Sequence, residues 1–138
     1  MAVSREQSEW FENWRVQMRK GLLDLCILSA LLEGEWYGYA LVKALVAIPG
    51  IGVAEGSIYP LLSRLRKQGL VTTRLEESTE GPARKYYCLT ETGRQQAAEM
   101  SVYFESLTQG VKKLNAGDFT PASSKPLEKL EQGKKGEL

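Results

Sequence analysis

The sequence predicts a mainly helical α+β domain built as a winged helix-turn-helix, and three observations carry the prediction. Residues 55–69 place Ile58, Leu61, Leu62 and Leu65 on one helical stripe, opposite a face of small, hydroxylated and cationic residues. Two β-prone stretches follow at once, residues 70–76 and 83–89, separated by a segment containing Gly81 and Pro82. A helical trio followed directly by a hairpin is the order of a winged helix, in which the third helix meets the major groove and the hairpin lies along the backbone. An N-terminal helix precedes this unit and a long C-terminal helix follows it.

In chain order, Ser4 and Gln7 have capping-box spacing, so a first helix starts near Arg5. Trp10, Phe11, Trp14 and Met18 share one of its sides. So much aromatic area on a short terminal helix suits burial by a second subunit. The pattern changes near Arg19–Gly21, and residues 22–32 are apolar nearly all round, as in a central helix packed on several sides. Gly34 ends it. Trp36-Tyr-Gly-Tyr39 leads into a helix buried through Leu41, Val42, Leu45 and Val46, and Ile48-Pro-Gly-Ile-Gly52 breaks the chain before the next.

The helix over 55–69 has one local inconsistency. Ala54 is a poor N-cap, so Ser57 is expected to cap instead, which would put Pro60 in the first turn where proline is tolerated. Gly69 is placed to supply the left-handed residue that stops the helix. Taken alone, this stretch would also suit an ordinary amphipathic helix with a solvated charged face. The hairpin behind it favours recognition. In that hairpin, Val71, Thr73 and Leu75 share a face, and Tyr87 and Leu89 alternate with Tyr86 and Cys88. Glu76, Glu77 and Glu80 near the tip argue against a deeply inserted wing.

Thr90 caps a helix over residues 91–114 in which Ala97, Met100, Phe104, Leu107, Val111 and Leu114 are spaced 3, 4, 3, 4, 3. That is a coiled-coil seam, read here as a dimerisation helix. The expected organisation is therefore an N-terminal dimer helix over 1–20, a DNA-binding unit over 21–90, the dimerisation helix over 91–116, and a tail over 117–138. The tail is expected to be disordered, because it is rich in Lys, Glu, Ser, Pro and Gly.

Composition excludes several functions. The chain has 138 residues, 18 basic against 17 acidic, and a net charge of +1, so a DNA surface has to come from local clustering. It has no histidine, which removes Ser–His and Cys–His nucleophile pairs and leaves no zinc-ligand cluster. No Gly-rich phosphate loop is present either, so an enzyme is not expected, nor a metal or cofactor. Cys26 and Cys88 read as small buried hydrophobes of a reducing compartment. The polar N-terminus and the lack of a ~20-residue apolar run point to a cytoplasmic protein with no membrane partner.

Four strings now stand in order. They are Lys20-Gly-Leu-Leu-Asp-Leu-Cys-Ile-Leu28, Tyr37-Gly-Tyr39, Glu55-Gly-Ser-Ile-Tyr-Pro-Leu-Leu62, and Arg84-Lys-Tyr-Tyr-Cys-Leu-Thr-Glu-Thr-Gly93. Together they resemble the PadR family of bacterial transcriptional regulators over residues 20 to 93. The resemblance implies a homodimeric winged-helix repressor on a palindromic operator, released by a small molecule or a stress signal. The single long C-terminal helix resembles the family's smaller subgroup, where it builds the dimer with the N-terminal helix. Some members of that subgroup hold flat aromatic compounds against an aromatic residue of the C-terminal helix, and Phe104 falls at about that position. Cys88 stands where many relatives carry a basic residue, and Ala54 replaces the usual cap.

These observations name candidate residues. DNA contacts are expected from Ser57, Tyr59, Ser63, Arg64 and Lys67 on the recognition helix, and from Arg84 and Lys85 on the wing. Residues near the helix N-terminus would reach bases, while Arg64 and Lys67 would meet phosphate. The dimer interface is expected to use Trp10, Trp14, Met100, Phe104, Leu107, Val111 and Leu114. A small aromatic effector would lie between the N- and C-terminal helices, against Trp10, Trp14, Tyr103 and Phe104. The competing reading is a winged-helix protein–protein adaptor without operator binding, which the near-neutral charge and the acidic wing tip favour.

Overall fold

A computed structural model describes residues 4–118 of the chain. Its elements run α1 (Arg5–Ala30), a 3₁₀ turn (Leu31–Glu33), β1 (Trp36–Tyr37), α2 (Gly38–Val46), α3 (Glu55–Lys67), β2 (Val71–Glu76), β3 (Arg84–Leu89) and α4 (Glu91–Ala116). The mainly helical winged helix-turn-helix is the observed architecture. The chain forms two compact units, Met1–Ser101 and Val102–Leu138. The tail expected to be disordered lies outside the described residues from 119 onward.

The capping box at Ser4 forms in full. Ser4 Oγ accepts the Gln7 N–H at 3.1 Å, and the Gln7 side chain accepts the Ser4 N–H at 3.1 Å. The helix it starts does not stop at residue 20. α1 is one helix of 26 residues, so the aromatic N-terminal segment and the apolar central segment share a single rod. Gly21 causes no break, because a lone glycine weakens a helix by only ~1 kcal/mol, while the capping box holds the helix on one side and burial of Ile27 and Leu28 on the other.

The core joins Ile27 and Leu28 at the end of α1, and Leu31 of the 3₁₀ turn, to Leu41, Val42 and Leu45 of α2. Ile58, Leu62 and Leu65 of α3, Val71, Tyr87 and Leu89 from the sheet, Val53 before α3 and Ala97 of α4 complete it. The recognition-helix stripe predicted from periodicity is therefore the buried one, with Leu61 half-buried at its margin. Ser57 is not the cap of α3. The helix starts at Glu55 with Ala54 as N-cap, no side chain bonds the cap position, and Pro60 sits inside the helix. At the other end Gly69 adopts φ 78°, and the Leu70 N–H closes on the Leu65 carbonyl at 3.0 Å. Most residues avoid that left-handed conformation, so glycine marks the stop as expected.

The sheet has the order β1-β3-β2, antiparallel throughout. Its hairpin pairs Val71 with Leu89, Thr73 with Tyr87, and Leu75 with Lys85. The short strand β1 pairs Trp36 with Tyr87 and Tyr37 with Tyr86. Sequence patterning read this stretch only as the approach to α2. The hairpin face predicted to be apolar fades outward, from buried Val71 to exposed Leu75, because only its base packs on the helices.

Thr90 links the hairpin to α4. Its hydroxyl accepts the Gly93 N–H at 3.0 Å and donates to the Gly69 carbonyl at 2.6 Å. Gly93 is buried there, and a Cβ on it would stand 2.0 Å from the Leu70 carbonyl oxygen. Only glycine permits that approach. Cys26 and Cys88 are both free, and burial pushes the Cys26 thiol above its ordinary pKa.

Candidate nucleic-acid interface

The site is built outward from α3. With the stripe Ile58–Leu62–Leu65 turned inward, helical periodicity puts Gly56, Pro60, Ser63 and Lys67 along the crest and splits the remaining residues between two flanks. Ser57 and Arg64 fall on the flank toward α1; Tyr59 and Arg66 fall on the flank toward α2 and the sheet. All of these side chains are exposed. The five expected helix residues are thus accessible, but they do not form one uniform face.

On the α1 flank, Arg64 reaches across to Asp24, its Nη2 donating to both carboxylate oxygens at 2.7 Å. The Arg19 guanidinium donates to the Gly52 carbonyl in the link between α2 and α3. A shallow cleft of about 250 Å³ opens here, with Arg19, Lys20 and Ser57 among the residues lining it. Ser57 therefore sits at the mouth of a basic cleft.

The opposite flank is rich in tyrosine. Tyr37 lies 6.2 Å from Tyr39 and 5.9 Å from Tyr86, ring centre to ring centre. Cations stack on this cluster: Arg84 is 5.0 Å from the centre of the Tyr37 ring, and Lys43 is 5.3 Å from that of Tyr39. Lys43 also pairs with Glu55 at 3.0 Å, tying α2 to the first turn of α3. Partial burial, with Tyr37, Glu55 and Tyr39 nearby, raises the Tyr59 pKa. Its hydroxyl stays protonated at neutral pH and available as a donor.

The wing is braced from below. Arg74 on β2 donates from Nε to Glu35 at 2.8 Å and from Nη2 to the other carboxylate oxygen, while its guanidinium stacks 4.6 Å from the Tyr86 ring centre. Lys85 is exposed on β3, and among the described residues neither Lys67 nor Lys85 makes a salt bridge. The structure thus brings Tyr59, Arg84 and the tyrosine cluster to one side of the recognition helix and places Arg64 on the other. Sequence reasoning passed over Tyr37, Tyr39, Lys43, Arg66 and Tyr86 as site residues. The Tyr37-Gly-Tyr39 string was visible, but its neighbourhood with Arg84, 47 residues downstream of Tyr37, depends on the pairing of β1 with β3.

The residues expected at the dimer interface and effector site stand as follows. On α1, Trp10 is 68% exposed and Trp14 is exposed beside Phe11, their rings 6.1 Å apart. Met100 is half-buried against the core. In the second unit, Phe104 is half-buried, while Tyr103, Leu107, Val111 and Leu114 are exposed. Among the described residues, no group of His, Cys, Asp and Glu is placed to hold a metal ion. No described helix is long and apolar enough to cross a membrane.

A helix-turn-helix packed on a three-stranded sheet, with a β2–β3 hairpin next to the exposed face of the third helix, defines the winged-helix class. Within it, the chain belongs to the PadR-like family of transcriptional regulators, whose family model matches residues 27–99. The chain is similar to a PadR family transcriptional regulator from Eggerthella lenta, at 33% identity and a TM-score of 0.69, covering 80% of this chain and 96% of that one. It is also similar to a PadR-like transcriptional regulator from Bacillus cereus, at 41% identity and a TM-score of 0.64, covering 71% and 95%. A 37.1 kDa protein of a Streptomyces fradiae transposon is 33% identical over 78 residues, 56% of this chain; the match spans only 21% of that protein's length.

Proposed function

We propose that this chain is a cytoplasmic, homodimeric DNA-binding regulator that acts as a repressor on a palindromic operator. The observation that carries the reading is the exposed face of α3, where Ser63 and Lys67 crest a buried apolar stripe with a hairpin bearing Arg84 and Lys85 alongside. Helix side chains would read base edges while the wing cations meet phosphates. Ser57 and Tyr59 would contribute from the two flanks, and Arg64 is considered below. Two such faces related by a two-fold axis would require half-sites about one DNA turn apart, ~34–36 Å, or a multiple of it. Trp10, Trp14, Met100, Phe104, Leu107, Val111 and Leu114 are the proposed dimer residues. Release would come from a planar aromatic compound meeting Trp10, Trp14, Tyr103 and Phe104, and such a ligand would weaken DNA binding in proportion to its own preference for the free state.

A salt titration on operator DNA, recovered by co-purification with fragmented host DNA, tests the proposal. Lys67→Ala and Arg84→Ala should each weaken operator and scrambled DNA alike and lower the salt slope by about one per lost phosphate contact per subunit. Tyr59→Ala should relax sequence preference and leave the slope near the wild-type value. Wild-type affinity at every salt concentration for both cation variants would replace this reading with the adaptor reading.

A further inference from the structure

We propose that Asp24 is a positioning residue for recognition: it holds Arg64 off the DNA backbone and so lowers sequence-independent affinity. The inference rests on the DNA-binding reading above and goes beyond it by assigning opposite roles to two cations of the same helix. Both oxygens of Asp24 lie 2.7 Å from Nη2 of Arg64, across 40 residues of sequence. The Asp24 side chain is only 26% exposed, against 49% for Arg64. A carboxylate so covered loses more by giving up its cation than a fully solvated one, so the pair persists where a surface pair would exchange with solvent. Lys67, one turn further along α3, has no carboxylate partner among the described residues.

The consequence is electrostatic. A phosphate approaching Arg64 meets a guanidinium already neutralised, with a carboxylate directly behind it. It gains little from the cation and is repelled by the acid. The pair then contributes no counterion release, whereas Lys67 contributes its full share. Phosphate contacts add affinity for every sequence equally, so withholding one lowers operator and scrambled affinity by the same factor and leaves their ratio to the base contacts. The same bridge fixes the flank of α3 against α1, which holds the crest residues Ser63 and Lys67 at a set roll angle about the helix axis.

Salt titrations of wild type, Asp24→Asn and the double variant Asp24→Asn/Arg64→Gln, on operator and scrambled DNA, decide the matter, with circular dichroism to confirm folding. Asparagine keeps the shape of aspartate and removes only the charge. Asp24→Asn should steepen the slope by about one per subunit, an extra loss of affinity of roughly tenfold for a dimer between 50 and 200 mM salt. It should also bind operator and scrambled DNA more tightly at low salt by the same factor, with the ratio between them unchanged. The double variant, lacking both charges, should return to the wild-type slope. A wild-type slope for Asp24→Asn, together with a slope lowered by about one per subunit in the double variant, would mean that Arg64 contacts phosphate, and would overturn the proposal while leaving DNA binding intact. A wild-type protein without salt-dependent binding to either DNA would instead overturn the DNA reading, and this inference with it.

Discussion

Glu35 and Arg74 show how a single pair can brace a functional element. Glu35 lies just before β1 and Arg74 is midway along β2, so their bridge ties the wing to the approach of α2. The hydrogen bond from Arg74 holds the Glu35 carboxyl below its ordinary pKa. A depressed folded-state pKa means the bridge stabilises the fold above the unfolded value, ~4.3, and that this contribution disappears as pH falls through the folded one. Urea denaturation of wild type and Glu35→Gln should therefore show a difference at pH 7 that shrinks as the pH drops below ~4.3. A difference that stays constant down to pH 3 would show that it does not come from the Glu35 charge. Asp24 and Arg64 make a second bridge elsewhere, with the single nitrogen Nη2 donating to both oxygens. There the proposed consequence falls on DNA affinity, because one partner stands on the recognition helix.

At the scale of elements, α3 is held by its packing more than by its ends. Ala54 accepts the first helical bond through its carbonyl, from the Ser57 N–H at 3.0 Å, yet offers no side-chain oxygen to the orphan N–H groups. Pro60 leaves the Gly56 carbonyl without its usual i+4 donor. The helix persists because Ile58, Leu62 and Leu65 are almost fully buried and because Lys43 pairs with Glu55. Ala54→Ser supplies the missing cap at an already extended backbone position and should raise stability by about 0.5–2 kcal/mol. Chemical denaturation measures this directly. An unchanged or lower midpoint would mean that the basic cleft beside Ala54 does not accommodate the hydroxyl. The later helix α4 already has a side-chain cap, the Thr90 hydroxyl accepting the Gly93 N–H at 3.0 Å, so the same substitution logic offers nothing there.

At the scale of the whole molecule, the exposed apolar surface is concentrated on two helices. Trp10, Phe11 and Trp14 on α1 are exposed among the described residues, and so are Leu107, Val111 and Leu114 on α4. Surfaces of this kind usually meet a partner, and the heptad spacing on α4 matches a second copy of the same helix. The wild-type chain should therefore run as a dimer in light scattering. Each large seam residue that the dimer fully buries should cost roughly 2–5 kcal/mol when cut to alanine. Leu107→Asp should yield a monomer or an unfolded chain, since a charge replaces a seam leucine. An unchanged dimer mass would remove α4 from the interface.

The sequence by itself determined the features that repeat over a few residues. The capping box at Ser4, the buried stripe of α3, the stop at Gly69, the two wing strands and the cap at Thr90 all follow from spacing and local propensity, and all are present. The exposed candidates on α3 were legible for the same reason, since a stripe that faces inward names the residues left outside. Tertiary structure alone decided what depends on distant segments. The two residues of β1 become a strand only because β3 offers its edge to them. Ser57 looked like the better cap, but burial of Ile58 and the Lys43–Glu55 pair extend the helix back to Ala54. The partition of the basic residues was equally hidden. Periodicity leaves Arg64 and Lys67 both exposed, and only the approach of α1, which carries Asp24 within 2.7 Å, gives Arg64 a carboxylate partner that Lys67 lacks among the described residues. Spacing along a chain fixes which side of a helix faces out; which charge waits there takes the rest of the fold.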